Sequence, residues 1–533
     1  MSTVNLAGVN APVVFLAVLA IALYLRSTAR WRRWRARTRG RPLPPGPRRL
    51  PVLGNMLSIP TWKPWIGFRD ISARYGEITY LEVLGKPMLV LESPALMSEL
   101  LDKHSANTSD RNQTPLIPLS GQGSNFTFMP YGRLWRQHRR AFWQYFRPGS
   151  VAQYQPIQRA VTRRFLKGLL ARPAEFKKLI QFNFTATMMK LTYGIDLDGP
   201  DDKYVAIVDD AFLGLREVTV TAQFLLEFFP WVQYLPKWVP GTSFLRGLNR
   251  SMGPSDYILR APFDEAKERA LAEGGDRSSV VSELLSRFEG GEEHEEEETA
   301  ARGVAAVAVE VGLWSATFPN CRITLMQGLF LALSLHPEVQ EKARAELDIV
   351  VGRHRLPDFD DRDSLVYIDA IVKETLRWHI VVPLGVSHRV MEDDEFHGYL
   401  LPAGTTVVTN VWACMHNPEI YPEPDRFLPE RFIRDGTVDA EVLDPATVVF
   451  GYARRICPGR HLAEAALFLA VACVLHVFEI GPPLDENGKP VMIQLEQGHG
   501  FLSYPEDCRC TVKPRSAEAV ALIRGDQNDS GVM

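Results

Sequence analysis

The sequence predicts a mainly α-helical fold with a small β subdomain, preceded by one N-terminal transmembrane helix. Three observations carry this. Apolar residues recur at helical spacing through most of the 533 residues, broken by Pro-Gly punctuation. Strand signals are confined to residues 78–91, residues 396–408 and the C-terminal region. A nearly unbroken apolar run stands at the N-terminus, ahead of an arginine-rich stretch.

Bulk composition narrows the class. Hydrophobic residues make up 46% of the chain and there are 11 Trp, enough for a deep core. The net charge of −3 hides an asymmetry, because residues 1–49 hold ten Arg and no Asp or Glu, leaving the remainder near −13. A basic arm on an acidic body points to a membrane surface as partner, with no nucleic acid. Six cysteines, at 321, 414, 457, 473, 508 and 510, are too scattered for a disulfide framework and suit a reducing compartment. Cys508 and Cys510, in a tail strand, read as structural.

Taken in order, residues 4–25 form the anchor, long enough for ~30 Å of hydrocarbon. Eight Arg follow between Arg26 and Arg41. A cleaved signal carries its charge ahead of the apolar run, and charge behind it places the body on the cytoplasmic side. Residues 26–49 are a basic, proline-rich linker, in which 42–47 (Pro-Leu-Pro-Pro-Gly-Pro) make a stiff spacer. Residues 50–515 form the main domain and 516–533 a polar tail. Residues 78–91 read as a hairpin turning at Gly85-Lys86-Pro87. Trp135 and Arg139, four apart, share a helix face. Residues 224–241 are dense in Trp, Tyr, Phe and Pro, which fits either core packing or a loop in the membrane interface. Residues 292–298, almost all acidic, read as a solvated linker. Glu374 and Arg377 stand three apart on a helix, where Arg431 could complete a buried carboxylate–guanidinium network.

The chemistry centres on residues 450–464, Phe-Gly-Tyr-Ala-Arg-Arg-Ile-Cys-Pro-Gly-Arg-His-Leu-Ala-Glu. A lone Cys-Pro-Gly before a helix is more often a buried structural cysteine than a ligand. Here Pro458 fits a helix's first turn, and the positive end of the helix dipole favours thiolate at Cys457. Such a thiolate can be an axial ligand to haem iron. Gly459 lets a flat macrocycle approach, and Arg455 is placed to reach a haem propionate. If position 453 needs positive φ, Ala453 strains the loop by about 1–2 kcal/mol.

Phe450, Arg455, Cys457 and Gly459, at offsets −7, −2, 0 and +2, resemble the haem-binding signature of the cytochrome P-450 family, with Ala453 where that family has glycine. The resemblance spans residues 42–515 and its wording is similar to fungal, membrane-anchored members. It implies the P-450 fold, with haem as cofactor and Cys457 as the metal ligand. It also implies that Trp135, Arg139, His388 and Arg389 position the haem, and that Glu374, Arg377 and Arg431 form the structural triad behind it. Phe318, Val382, Pro383, Leu384, Phe501 and Leu502 then fall at substrate-pocket positions.

One segment departs from the family. Its distal helix carries Ala/Gly-Gly-x-Asp/Glu-Thr-Thr, whose acid–alcohol pair delivers protons. Residues 317–322 read Thr-Phe-Pro-Asn-Cys-Arg, with Phe318 in the oxygen groove, Pro319 breaking a helix hydrogen bond, and Asn320 and Cys321 in place of the catalytic pair. Altered oxygen chemistry, a weakened enzyme and a misplaced splice junction near 300–322 all remain open. The resemblance implies a monooxygenase that inserts one atom of O2 into an apolar small molecule, a secondary metabolite or xenobiotic. The rival is a haem-binding P-450-like protein with impaired or non-standard oxygen activation. No dinucleotide fingerprint is visible, so electrons would come from a separate NADPH-cytochrome P-450 reductase, docking at Arg454 and Arg460. The expected location is the endoplasmic reticulum membrane, single-pass, with membrane lipid as a partner.

Overall fold

A computed structural model of the chain describes residues 40–119, 123, 125–207, 226–236, 239, 242, 244–272, 279–287, 301–303, 305, 321–498 and 502–525, and seven residues between 18 and 29. Of the expected anchor, Val18, Ile21, Ala22, Tyr24 and Leu25 are among these, helical and exposed; the rest lies outside the described residues, as does the acidic stretch 292–298. The chain divides into two compact units, Met1–Asp110 with Ser387–Asn410, and Arg111–Val386 with Val411–Met533.

The first unit is built on a four-stranded sheet in the order β1 (Ile78–Val83), β2 (Lys86–Leu91), β6 (Thr406–Thr409), β3 (His388–Arg389). β1 and β2 form an antiparallel hairpin, while β2 runs parallel to β6 with Leu89 opposite Val407. Leu89, Val90 and Leu91 are consecutive and all buried, so both faces of β2 are covered at this end, as suits an inner strand between β1 and β6. The hairpin turn is Leu84-Gly85, both at positive φ (48° and 79°), a geometry that matches the twist of the paired strands. Lys86 and Pro87 therefore belong to β2 and not to the turn that their spacing suggested. A second hairpin, β4 (Asp394–Phe396) and β5 (Tyr399–Leu401), turns in the same way at His397-Gly398.

The proline-rich segment is part of this unit. The Leu400 N–H donates to Pro42 O (2.9 Å) and the Tyr80 N–H to Pro45 O (2.7 Å), while Asn55 Nδ2 donates to Pro47 O (2.8 Å). A β-carbon on Gly46 would stand 1.9 Å from Tyr80 O, so only glycine admits this approach. What reads as a spacer is stitched to the sheet by long-range hydrogen bonds that its own sequence does not announce.

Among the helices of eight residues or more, α1 (Pro64–Tyr75) packs on β1 in the first unit. The second unit holds α2 (Arg133–Phe146), α3 (Gln155–Ala171), α4 (Phe176–Tyr193), α5 (Phe244–Ala272), α6 (Val280–Arg287), α7 (Cys321–Leu335), α8 (Pro337–Val350), α9 (Val366–Trp378), α10 (Arg460–Val477) and α11 (Ala517–Arg524). It also holds two small sheets, β7 (Ile433–Arg434) with β8 (Thr437–Val438), and β9 (Phe478–Gly481) with β10 (Thr511–Pro514). The mainly helical fold with small sheets is the one expected from the sequence.

α10 is apolar on all sides because it is buried on all sides, packing against α3, α7, α8 and α9. Among the described residues it is the one helix long and apolar enough to cross a membrane, and it forms the centre of this core instead. α4 joins two apolar clusters, giving Phe176, Leu179, Ile180 and Phe184 to one and Phe182, Met188, Met189 and Leu191 to the other. Residues 516–525, read as the start of a polar tail, are helix α11 and its ends. Ser516 Oγ caps it by accepting the Ala519 N–H (3.1 Å), and Ala519 and Ile523 are buried in the core.

Glu92, just after β2, carries a titration that the sequence conceals. Asn410 Nδ2 donates to Glu92 Oε1 (2.5 Å) and to Trp65 O (2.8 Å), tying the ends of β2 and β6 to α1. Burial pushes the Glu92 carboxyl up to about 7, against the hydrogen bonds of Asn410 and Ser72 and the charge of Arg69. A folded-state pKa above the unfolded 4.5 means that the folded protein holds this proton more tightly. The group therefore costs stability as pH rises from 4.5 through 7, up to ~3 kcal/mol at 1.36 kcal/mol per pKa unit. Glu92→Gln, which keeps the acceptor for Asn410, is expected to be more stable than the wild type at pH 8 and equal to it near pH 4, as read by urea midpoints. A constant difference between the two pH values would contradict this assignment.

Candidate functional site

The cysteine loop lies in the second unit. After Phe450 the chain turns at Gly451 (φ 77°), makes a short helical turn over Ala453–Arg455, and reaches Cys457. The loop is closed by the Cys457 N–H donating to Phe450 O (2.7 Å). α10 begins at Arg460 with Gly459 as its N-cap, so Pro458 lies in the preceding turn and not in the helix's first turn. Cys457 thus stands three residues before the positive end of the α10 dipole, half-buried. Ala453 has φ 40°, the left-handed conformation that the sequence made conditional.

α2 supports this loop. Trp135 and Arg139, one turn apart, both face inward, and Trp135 is 4% exposed. Arg139 Nη2 donates to Ile456 O (2.6 Å), the peptide oxygen just before Cys457. Burial pushes the Arg139 guanidinium down to about 10, against the pull of negative charge on Cys457, and Arg460 pushes it further down. Arg455 is buried, donating to Phe126 O (3.0 Å) and Met129 O (2.8 Å), with its guanidinium carbon 4.4 Å from the Trp135 ring centre. The Trp135 indole N–H is buried with no acceptor among the described residues. Leaving such a donor unmade costs ~1–3 kcal/mol, and its place beside Arg455 and the cysteine loop suits an acceptor from a bound group. A thiolate donor, two guanidiniums and an orphaned indole N–H fit a haem with anionic propionates.

Behind the loop, Glu374, Arg377 and Arg431 are brought together. Arg377 donates from Nε to Glu374 Oε2 (2.7 Å) and from Nη2 to Glu374 Oε1 (2.8 Å), and Arg431 Nε stands 3.2 Å from Glu374 Oε2. The side chains of Glu374 and Arg377 are fully buried and Arg431 nearly so. Arg377 also binds the carbonyls of Met415, Pro424 and Arg426, and Arg431 that of Pro422 (2.6 Å). Removing one partner from such a pair strands a buried charge at a cost of about 3–5 kcal/mol.

His388 and Arg389 belong to the first unit, on β3. His388 Nδ1 donates to Thr108 O (2.8 Å), and Arg389 Nη1 pairs with Asp110 (3.1 Å). In the second unit the Ser503 N–H donates to Val381 O (2.9 Å), setting buried Leu502 beside the segment of Val382, Pro383 and Leu384. Phe318, Asn320 and Phe501 lie outside the described residues, and of Cys321 only the backbone, opening α7, is described. Tyr131, half-buried against Trp135, escaped the sequence reading. Its one legible sign is the Tyr-Gly pair just before α2.

Comparison with known proteins agrees with this geometry. The family model described as Cytochrome P450 matches residues 44–508. A "Cytochrome P450 monooxygenase COX1" from Coprinopsis cinerea is 36% identical, over 96% of this chain and 98% of its own. "Cytochrome P450 monooxygenase COX2" from the same organism is 36% identical over 91% and 92%. A "Tryptamine 4-monooxygenase" from Psilocybe cyanescens is 34% identical over 95% and 98%.

The strained alanine provides a direct check of the loop. Ala453→Gly removes an αL penalty of about 1–2 kcal/mol and adds back part of it as unfolded-chain entropy. A net gain of about 0.5–1 kcal/mol in urea unfolding is expected. Loss of stability would show that this φ is not the one adopted in solution.

Proposed function

The chain belongs to the cytochrome P450 family, and from that premise we propose that Cys457 is the thiolate ligand of its haem iron. Members are haem-thiolate enzymes, and as a monooxygenase this protein uses O2, a substrate and a redox partner. The observation that carries the assignment is one cluster: Arg139 bonded to the peptide before Cys457, and Arg455 over an indole whose N–H has no acceptor among the described residues. When bound, haem with a thiolate ligand supplies the chemistry of O–O cleavage.

The residues divide the work. The α10 N-terminus and Arg139 favour negative charge at Cys457. The Trp135 Nε1–H and Arg455 hold a propionate, and the Glu374–Arg377–Arg431 network keeps the loop's support rigid. Val382, Pro383, Leu384 and Leu502 offer an apolar wall, which supports an apolar small-molecule substrate, a secondary metabolite or xenobiotic. One similar protein is named for tryptamine, an indole carrying an alkylamine, which supports a substrate with an aromatic ring.

The electron donor is a separate NADPH-dependent flavoprotein reductase. The exposed face of α2 presents Arg133, Arg136 and Arg140, joined by exposed Arg454. Arg460 is half-buried with its Nε on His461 (3.2 Å), so the docking surface centres on α2 more than on the pair flanking the cysteine. The protein sits in the endoplasmic reticulum membrane through residues 4–25, with its body cytoplasmic. Trp231 and Tyr234, 58% and 81% exposed in the aromatic stretch, suit a membrane interface.

A second reading, impaired or non-standard oxygen activation, is favoured by Pro319, Asn320 and Cys321 in place of a proton-delivering pair. With reductase, NADPH and candidate apolar substrates, the first reading expects oxygenated product in step with NADPH use. Peroxide release without product would select the second. Cys457→Ser is expected to abolish both product and the thiolate-type ferrous–CO spectrum while far-UV circular dichroism stays unchanged; a surviving spectrum would refute the ligand assignment. Arg133→Glu with Arg140→Glu should slow reduction by the reductase at least tenfold at low salt and leave reduction by dithionite unaltered. An unchanged rate with reductase would remove α2 from the docking surface.

A further inference from the structure

Tyr131 sits at the centre of a stack that leads from solvent to the buried face of α2. Its ring centroid is 5.2 Å from that of Trp135, tilted by 47°. The guanidinium carbons of Arg136 and Arg454 lie 5.5 and 5.3 Å from the centre of the Tyr131 ring. Arg454 Nη1 also donates to the Tyr131 hydroxyl. Arg455 then covers Trp135 at 4.4 Å. Burial follows the same order: Arg136 and Arg454 are exposed, Tyr131 is half-buried, and Trp135 and Arg455 are buried.

The arrangement does more than fill space. A tryptophan side chain can pivot about two torsions, and the direction of its N–H decides whether an acceptor can be reached. Tyr131 closes one approach to the Trp135 ring and is itself gripped by two cations and a hydroxyl bond. The only polar atom of that indole has no acceptor among the described residues, so the stack presents a donor to a group outside them. We propose that Tyr131 is a positioning residue of the haem site, a clasp that fixes the Trp135 indole so that its N–H meets a haem propionate. The proposal rests on the haem reading above and adds to it a residue in the loop ahead of α2.

The test is the rate of haem release from the purified full-length holoprotein to excess apomyoglobin, followed by the Soret change. Trp135→Phe, which keeps an aromatic ring and removes the N–H, should release haem about tenfold faster, the loss of one hydrogen bond to a charged acceptor. Tyr131→Leu should also release it about tenfold faster, because ring stacking and the cation contacts are lost together. Tyr131→Phe keeps the ring and should stay within about threefold of the wild type, a rescue by the conservative change. In the double variant Tyr131→Leu with Trp135→Phe the release rate should match that of Trp135→Phe alone, since no N–H remains to be aimed. A merely structural role for Tyr131 would multiply the two effects toward a hundredfold and overturn the proposal, as would Tyr131→Leu at the wild-type rate. Circular dichroism and urea midpoints of the apoproteins identify any variant that has lost its fold, and Tyr131→Phe then decides by its rate alone: release more than about threefold faster refutes the clasp. A wild-type protein that takes up no haem would defeat the site reading itself, and this inference with it.

Discussion

The carboxylate of Glu374 is the constraint on which the rest of the second unit depends. It is fully buried, and a charge taken out of water is tolerated only when its partners replace that water. Two arginines and the Leu428 N–H (2.8 Å) do so here. The consequence spreads through Arg377, whose remaining donors fasten the carbonyls of Met415, Pro424 and Arg426. The segment between β6 and the cysteine loop has little regular structure to hold it. An ionic knot on α9 gives it a fixed course, and the Trp378 indole reinforces that course by donating to Asp425 O (2.9 Å). A hydrophobic substitute of similar volume could match the stability but could not select which carbonyls are held.

The site in front of this knot works by the opposite logic. Its charges are arranged around something the chain does not contain. Arg139 tolerates desolvation because its Nη2 lies on Ile456 O with Cys457 next in sequence. Arg455 and Trp135 are locked together, yet the indole N–H has no acceptor among the described residues. That leftover donor is informative for its place, since other buried polar atoms such as Trp65 Nε1 also lack a partner among the described residues but do not lie against Arg455.

What could be read in advance follows from the range of the interactions. Trp135 with Arg139, and Glu374 with Arg377, are helix neighbours, so spacing alone placed each pair on one face. The positive φ at Ala453 was raised only as a condition, because the resembled family has glycine there, and the structure meets that condition. The cysteine's offset from its helix was misjudged by two residues, since the helix waits for Gly459 and Arg460. The hairpin turn shifted to Leu84-Gly85 because β2 extends to keep its pairing with β1. Contacts made across long separations stayed hidden: Glu92 with Asn410, Ala519 and Ile523 in the core, and Tyr131 with Arg454. Each depends on which segments the fold brings together, and no local pattern encodes that. Residues 317–320 and 501 lie outside the described structure, so the departure from the family's distal motif stands on sequence alone.

The docked proline-rich segment has a practical corollary. Because Tyr80 O leaves no room for any side chain at position 46, and Pro42, Pro45 and Pro47 each accept a bond from elsewhere in the first unit, the chain is already part of that unit from Pro42 onward. Anyone trimming the N-terminus should cut upstream of that proline. A cut at Leu50 would strip a strap from the sheet and leave three of its donors facing nothing.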